Sequence, residues 1–132
     1  MFYIYQIAVS LLILLSPLII IYRIIKKKEN RNRFIEKFGI HTETRIKGNL
    51  VWFHGASVGE ILSVLPILKI YEKKKSIDQI LVTTSTLSSS NIIKNIKFKK
   101  TVHQFYPIDH FYFTNKFLNY WKPNLAIFIE SE

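Results

Sequence analysis

The chain begins with a long apolar stretch, in which no charged side chain occurs between Phe2 and Tyr22. A helix that spans a bilayer needs about 20 mostly apolar residues, and tyrosines near both ends of the stretch suit the two membrane interfaces. A cleavable signal peptide would instead have basic residues first, a shorter apolar core and small residues at a cleavage site. We therefore predict an uncleaved membrane-anchor helix over residues 1–25, either spanning the bilayer or inserted in one leaflet.

After residue 48 short apolar runs alternate with stretches that have helical character. The runs predict four strands, at Leu50–His54, Gln79–Thr83, Val102–Tyr106 and Leu125–Ile129. Between them we predict helices over Glu60–Tyr71, from Ser88 to Asn95, and from a cap at Asp109 through Phe113, Phe117 and Trp121. Strands that alternate with helices indicate βαβ units on a parallel sheet, so the predicted fold class is α/β.

The net charge of +10 is concentrated just after the apolar stretch. The segment from Arg23 to Lys37 holds seven basic and two acidic residues, a local charge of +5. Because this charge follows an anchor, we expect it to meet anionic lipid rather than nucleic acid. The positive-inside rule places the segment in the cytoplasm. The residues predicted to face the membrane or phosphates are Lys26, Lys27, Lys28, Arg31 and Arg33.

The loop after the first predicted strand is the main candidate for chemistry. Residues 54–60 read His-Gly-Ala-Ser-Val-Gly-Glu, and the small residues let a backbone approach a ligand closely before a helix starts. Glu60 stands at the start of that helix. Its carboxylate either caps the helix or acts as a general base that removes a proton from an attacking hydroxyl. His54 is either part of a site or packed, and a histidine that ends a buried strand is more often packed.

Further polar residues follow the other predicted strands. Glu130 and Glu132 are two apart on a strand end and point the same way, as either a polar strand end or a carboxylate opposite Glu60. The hydroxyl-rich segment 83–90 is either a binding loop or capping and turn chemistry. The chain contains no cysteine, and its histidines lack metal-ligand spacing, so we expect no metal site.

These motifs, in this order, resemble the start of the Kdo (3-deoxy-D-manno-octulosonic acid) transferases, which carry W-x-H-x-A-S-V-G-E. The resemblance covers nearly the whole chain. The matching motifs are Arg31-x-Arg33, residues 36–39, residues 51–60, Pro66, residues 82–86, Tyr106-Pro107-x-Asp109, residues 116–118, Pro123 and Glu130-Ser131-Glu132.

The resemblance implies the N-terminal, acceptor-side, Rossmann-like half of a GT-B glycosyltransferase, at the cytoplasmic face of the cell inner membrane. It divides the chain into the anchor 1–25, a basic juxtamembrane segment 26–48 and a truncated domain 49–132. The C-terminal nucleotide-sugar domain is absent. The implied donor is CMP-Kdo and the acceptor a lipid A precursor (lipid IVA), with no other cofactor. Glu60 matches the general base and Glu130 the transition-state stabiliser; Ser57, Gly59 and Glu132 are expected at the acceptor.

Because the nucleotide-binding half is missing, we expect the chain to be inactive alone and to need a separately encoded C-terminal half. The alternative is a non-catalytic, membrane-anchored remnant that binds lipid or a protein partner.

Overall fold

Four parallel strands form the centre of the protein in a computed structural model that describes residues 1–130. The strands are β1 (Leu50–Gly55), β2 (Gln79–Thr84), β3 (Thr101–Phe105) and β4 (Leu125–Ile129). The helices are α1 (Phe2–Ile25), α2 (Val58–Lys73), α3 (Leu87–Asn95) and α4 (Phe111–Trp121), with a 3₁₀ helix at Phe34–Phe38. The predicted α/β class with a parallel sheet is confirmed.

The two faces of β1 hold the two halves of the core. Val51 and Phe53 point toward α2 and α3, whereas Leu50 and Trp52 point toward α4, because successive side chains on a strand face opposite ways. The helices therefore cover both faces of the sheet, and β1 and β2 are buried along almost their whole length. Continuous apolar runs, rather than alternating ones, are what such strands require.

The order of strands in the sheet is β3-β2-β1-β4. The chain moves outward from β1 to β3 and then returns to the other side of β1 as β4. The direction of winding reverses between β1 and β4, and in open α/β sheets ligands bind outside the carboxyl ends of the strands at such a point.

The predicted apolar helix is confirmed as α1, which is long and apolar enough to cross a membrane by length and composition. Every residue of α1 stays at least partly exposed. The helix nevertheless lies along the domain: Tyr5 Oη donates to Asp109 Oδ2 at 2.6 Å, and Ser10 Oγ lies 3.3 Å from His110 Nε2. At its other end, Arg23 Nε donates to Glu29 at 3.1 Å.

The cap of α4 differs from the prediction. His110, not Asp109, is the N-cap residue, and its Nδ1 accepts a hydrogen bond from the Tyr112 N–H at 3.3 Å. Asp109 is one residue too early, and its carboxylate accepts from Tyr5 instead.

The segment after α1 is held in the domain by a buried carboxylate that the sequence pattern did not indicate. Glu36 is fully buried on the 3₁₀ helix. It accepts two hydrogen bonds from Arg33, at 2.6 and 3.0 Å, and one from the Phe105 N–H at 2.7 Å. Thr42 Oγ1 also donates to it. A buried carboxylate requires this degree of compensation, because an unpaired charge in the interior is costly.

His103 on β3 extends this network. Arg33 Nη2 donates to the His103 carbonyl at 2.6 Å and lies 3.1 Å from His103 Nδ1, while Nε2 is 2.9 Å from Thr84 Oγ1. An Nδ1 that accepts from a guanidinium places the ring proton on Nε2. Burial, together with Arg33 and then Lys94, lowers the pKa of His103 from 6.5 to about 3. The ring is therefore neutral at physiological pH.

His103 should make the stability of the fold depend on pH. Its pKa is near 6.5 in the unfolded chain and about 3 in the folded one, so only the unfolded chain gains a proton between these values. Stability is then lost as the pH falls from 6.5 toward 3, by about 2 kcal/mol at pH 5. Urea unfolding of the full chain in detergent at several pH values, followed by tryptophan fluorescence, should show this slope. His103→Asn should flatten it; an identical slope in that variant would contradict the assignment.

Gly39 should be indispensable to the junction between the 3₁₀ helix and α4. It has φ +70°, and a Cβ there would lie 2.6 Å from the backbone oxygen of Phe113. We expect Gly39→Ala to destabilise the fold by about 2 kcal/mol or more, from left-handed strain and the clash. Gly59→Ala is the control, since within the described part of the chain its Cβ would meet only Ser57 Oγ, at 3.9 Å. Equal unfolding midpoints for both variants would refute this expectation.

Candidate active site

The β1–α2 loop is closed by a capping box. Ser57 Oγ accepts from the Glu60 N–H at 3.2 Å, and Glu60 Oε2 accepts from the N–H groups of Ala56 and Ser57 at 2.6 and 3.3 Å. This reciprocal pattern satisfies backbone donors that the first turn of a helix leaves open. Of the two roles considered for Glu60, the capping role is thus present in the structure. The same contacts fix its carboxylate at the carboxyl edge of the sheet.

Glu130 reaches the same edge from the neighbouring strand. In the β1–β4 register Gly55 is paired with Ile129, so Glu130 leaves the sheet beside the start of the Ala56–Glu60 loop. Its side chain is exposed. Strand order, which the sequence left open, thus brings both candidate carboxylates to the point where the winding of the sheet reverses. Glu132, also predicted to act here, lies outside the described residues.

Ser57 and Gly59 keep the surface of this loop open. Both are exposed, and a Cβ at Gly59 would have ample space. Packing within the described chain therefore does not require a glycine at position 59. A residue without a side chain at a helix start does leave its backbone N–H accessible to a ligand.

His54, for which the sequence favoured packing over a role in a site, also lies at this edge of the sheet. Its Nδ1 lies 2.9 Å from Thr83 Oγ1, which also accepts from Trp52 Nε1 at 2.8 Å, and its ring lies 4.1 Å from that of Tyr106. Burial lowers the pKa of His54, while a hydrogen bond to the Thr83 backbone and the Glu60 charge partly oppose this shift. Its position immediately before the Gly55–Glu60 loop was the available signal.

The hydroxyl-rich segment 83–90 supports the loop from the next strand. Thr86 is the N-cap of α3 and accepts from the Ser89 N–H at 3.2 Å. Ser89 Oγ donates in turn to the Ala56 carbonyl at 3.4 Å. Capping is therefore one role of this segment, and it ties the start of α3 to the loop that carries Glu60.

The predicted basic residues fall into two groups. Lys26, Lys27, Lys28 and Arg31 are exposed. The side chain of Arg33 is only 15% exposed and pairs with Glu36, which gives it a structural role inside the domain.

A cleft of about 540 Å³ separates α1 from the domain. The residues of α1 that line this cleft are mostly apolar. The charged residues that line the cleft are Arg23, Glu29, Lys37 and Asp109.

Comparisons with known proteins give a consistent result. A family model described as 3-deoxy-D-manno-octulosonic-acid transferase (kdotransferase) matches residues 32–132. A probable mitochondrial 3-deoxy-D-manno-octulosonic acid transferase of Arabidopsis thaliana is 36% identical over 98% of this chain and 30% of its own length. The transferase of Rickettsia bellii is 41% identical over 86% of this chain and 27% of its own length.

That of Rickettsia felis is 48% identical over 64% of this chain and 18% of its own length. No solved structure matches the chain significantly. The chain thus spans less than a third of the length of these relatives. The match over residues 32–132 includes the whole Ser57–Glu60 capping box, and the chain belongs to the family of 3-deoxy-D-manno-octulosonic acid transferases.

Proposed function

We propose that the chain is the N-terminal, acceptor-side half of an enzyme that transfers Kdo from CMP-Kdo to a lipid A precursor, lipid IVA. The observation that supports this most is that Glu60 and Glu130 both lie at the carboxyl edge where the winding of the sheet reverses. Ligands of open α/β sheets bind at such edges. Exposed Ser57 and Gly59 would contact the acceptor there.

The proposed reaction needs one proton acceptor and stabilisation of positive charge. Glu60 takes the proton of the acceptor hydroxyl as that oxygen bonds to the anomeric carbon of Kdo, and CMP leaves with the bonding electrons. The anomeric centre becomes positively charged as the leaving group departs. Glu130 would stabilise that charge. The capping box keeps the Glu60 carboxylate in place before the acceptor binds.

The proposal requires a second, nucleotide-binding domain in a GT-B arrangement. Strand β4 pairs with β1 on one side and leaves Leu125 and Phe128 47% and 50% exposed, a surface that further elements of such an enzyme would cover. Apolar side chains of a parallel sheet are normally covered. We infer that residues 1–132 do not transfer Kdo without that nucleotide-binding domain, whether it follows on the same polypeptide or is supplied by a second one.

We further propose that α1 anchors the protein to the inner membrane, with the domain on the cytoplasmic side. The exposed cations Lys26, Lys27, Lys28 and Arg31 at the end of α1 support this orientation. They would attract anionic headgroups at about 1 kcal/mol each.

Glu60→Gln separates the two roles of this residue, because glutamine also serves in a capping box. We expect the variant to fold normally and to lower turnover by about 10²–10⁴. The test is Kdo transfer from CMP-Kdo to lipid IVA by this chain fused to the C-terminal part of the Rickettsia bellii relative. Glu43→Gln, an exposed site on the same chain, is the control for charge. Equal turnover in the two variants would rule out Glu60 as the base.

An inactive wild-type fusion, beside an active intact relative, would favour a non-catalytic remnant.

The anchor proposal predicts behaviour in membrane fractions. After alkaline carbonate treatment the full chain should stay in the pellet, because an inserted apolar helix is not released by removing electrostatic contacts. A variant that lacks residues 2–22 should move to the supernatant. Release of the full chain by carbonate would show that α1 is not inserted.

A further inference from the structure

A smaller cavity, of about 270 Å³, lies between the end of α1 and the start of α3. Two elements far apart in sequence supply its polar walls. Its cationic wall consists of Arg23, Lys27 and Lys28, and its neutral polar wall consists of Thr86, Ser88 and Asn91.

The cationic wall carries excess positive charge. Among the carboxylates of residues 1–130, Arg23 pairs with Glu29 alone, at 3.1 Å, and Glu29 also pairs with Lys37, at 2.7 Å. Among the described residues, neither Lys27 nor Lys28 forms an ion pair. Both lysines are exposed. The cavity therefore has more positive charge than its surroundings neutralise.

The end of α1 turns these lysines toward the domain. Lys28 N–H donates to Arg23 O at 2.9 Å and Lys27 N–H to Ile24 O at 3.0 Å, a pattern that terminates helices through a left-handed residue. That residue is Lys27, with φ +53°, where glycine is the usual choice. The chain reverses here, and the cations line the cavity rather than continuing along the helix axis.

The opposite wall offers neutral donors. Thr86 Oγ1 accepts a hydrogen bond from the Ser89 N–H. The N–H groups of Leu87 and Ser88, in the first turn of α3, have no acceptor within the helix. The Ser88 hydroxyl and the Asn91 side chain border the same space. Backbone donors at a helix start favour an anion, and the nearby cations add charge-assisted hydrogen bonds.

We propose that this cavity binds a phosphate monoester. Such a group carries a charge of about −1.5 to −2 and three acceptor oxygens, which match three cations on one side and several donors on the other. The cavity lies where α1 ends, and insertion of α1, as proposed above, would place it near the lipid headgroups. Helix α3, which supplies the neutral wall, also contacts the β1–α2 loop, because Ser89 Oγ donates to the Ala56 carbonyl at 3.4 Å. That the phosphate belongs to the sugar acceptor rests on the proposed function, whereas the site itself does not.

Calorimetric titration of the full chain in dodecyl maltoside micelles tests the site without any transfer reaction. The probes are dihexanoyl phosphatidate, a monoester; dihexanoyl phosphatidylglycerol, a diester with the same chains; and inorganic phosphate. Lys27→Gln with Lys28→Gln removes two cations of the cavity. Lys73→Gln with Lys75→Gln removes the same charge at the far end of α2, where both lysines are exposed. Ser88→Ala removes a neutral donor, and circular dichroism checks that each variant is folded.

We expect phosphatidate to bind, the Lys27/Lys28 variant to weaken binding by about tenfold or more, and Ser88→Ala to weaken it by a smaller factor. The Lys73/Lys75 control should change it less than about twofold, since distant surface charges are screened. Phosphatidate binding tighter than inorganic phosphate would identify a lipid phosphate as the source, and equal binding would identify free phosphate; either supports the site. No binding to wild type, equal loss in both lysine pairs, or equal binding of the diester would overturn it.

Discussion

The buried carboxylate of Glu36 is the interaction on which the arrangement of this protein depends. It is fully buried, and its partners come from three places: Arg33 one turn earlier, Thr42 after the 3₁₀ helix, and the backbone of Phe105 at the end of β3. Removing Arg33 would leave the buried carboxylate without its cationic partner, at a cost of several kcal/mol. The segment after α1 is therefore bound to the sheet, although it reads as a solvated basic linker.

The same network reaches the candidate site through neutral groups. Arg33 contacts His103, whose Nε2 lies beside Thr84, and Thr84 Oγ1 donates to the Thr86 carbonyl at 3.3 Å. Thr86 caps α3, and α3 contacts the loop of Glu60 through Ser89. The position of the loop is thus coupled by hydrogen bonds to a charge pair buried on the opposite side of β3. Hydrogen-bond chains of this kind favour one arrangement, because a partly satisfied network is costly.

Local pattern predicted the strands well because each is an apolar run between breakers, and the bounds of β4 agree at both ends. It also predicted α1. The pattern did not reveal that Glu36 is buried, since a carboxylate among basic residues normally faces water. It also did not reveal that His110 rather than Asp109 caps α4, because Asp109 accepts a hydrogen bond from Tyr5, over a hundred residues away. Strand order is a property of the whole chain. The pairing of β1 with β4 beside Glu60 therefore needed the structure, although Glu60 and Glu130 themselves were recognisable in the sequence.

The contacts of α1 with the domain have a mechanical consequence. A helix of 24 residues is about 36 Å long, so if it stood upright in a bilayer, Tyr5 and Ser10 would lie deep in the membrane or on its far side. Their contacts with Asp109 and His110 hold only while the helix lies against the domain. Upright insertion and lateral docking are thus mutually exclusive positions of one element. Moving between them would open or close the cleft under α1, whose other end is lined by the Arg23–Glu29 pair.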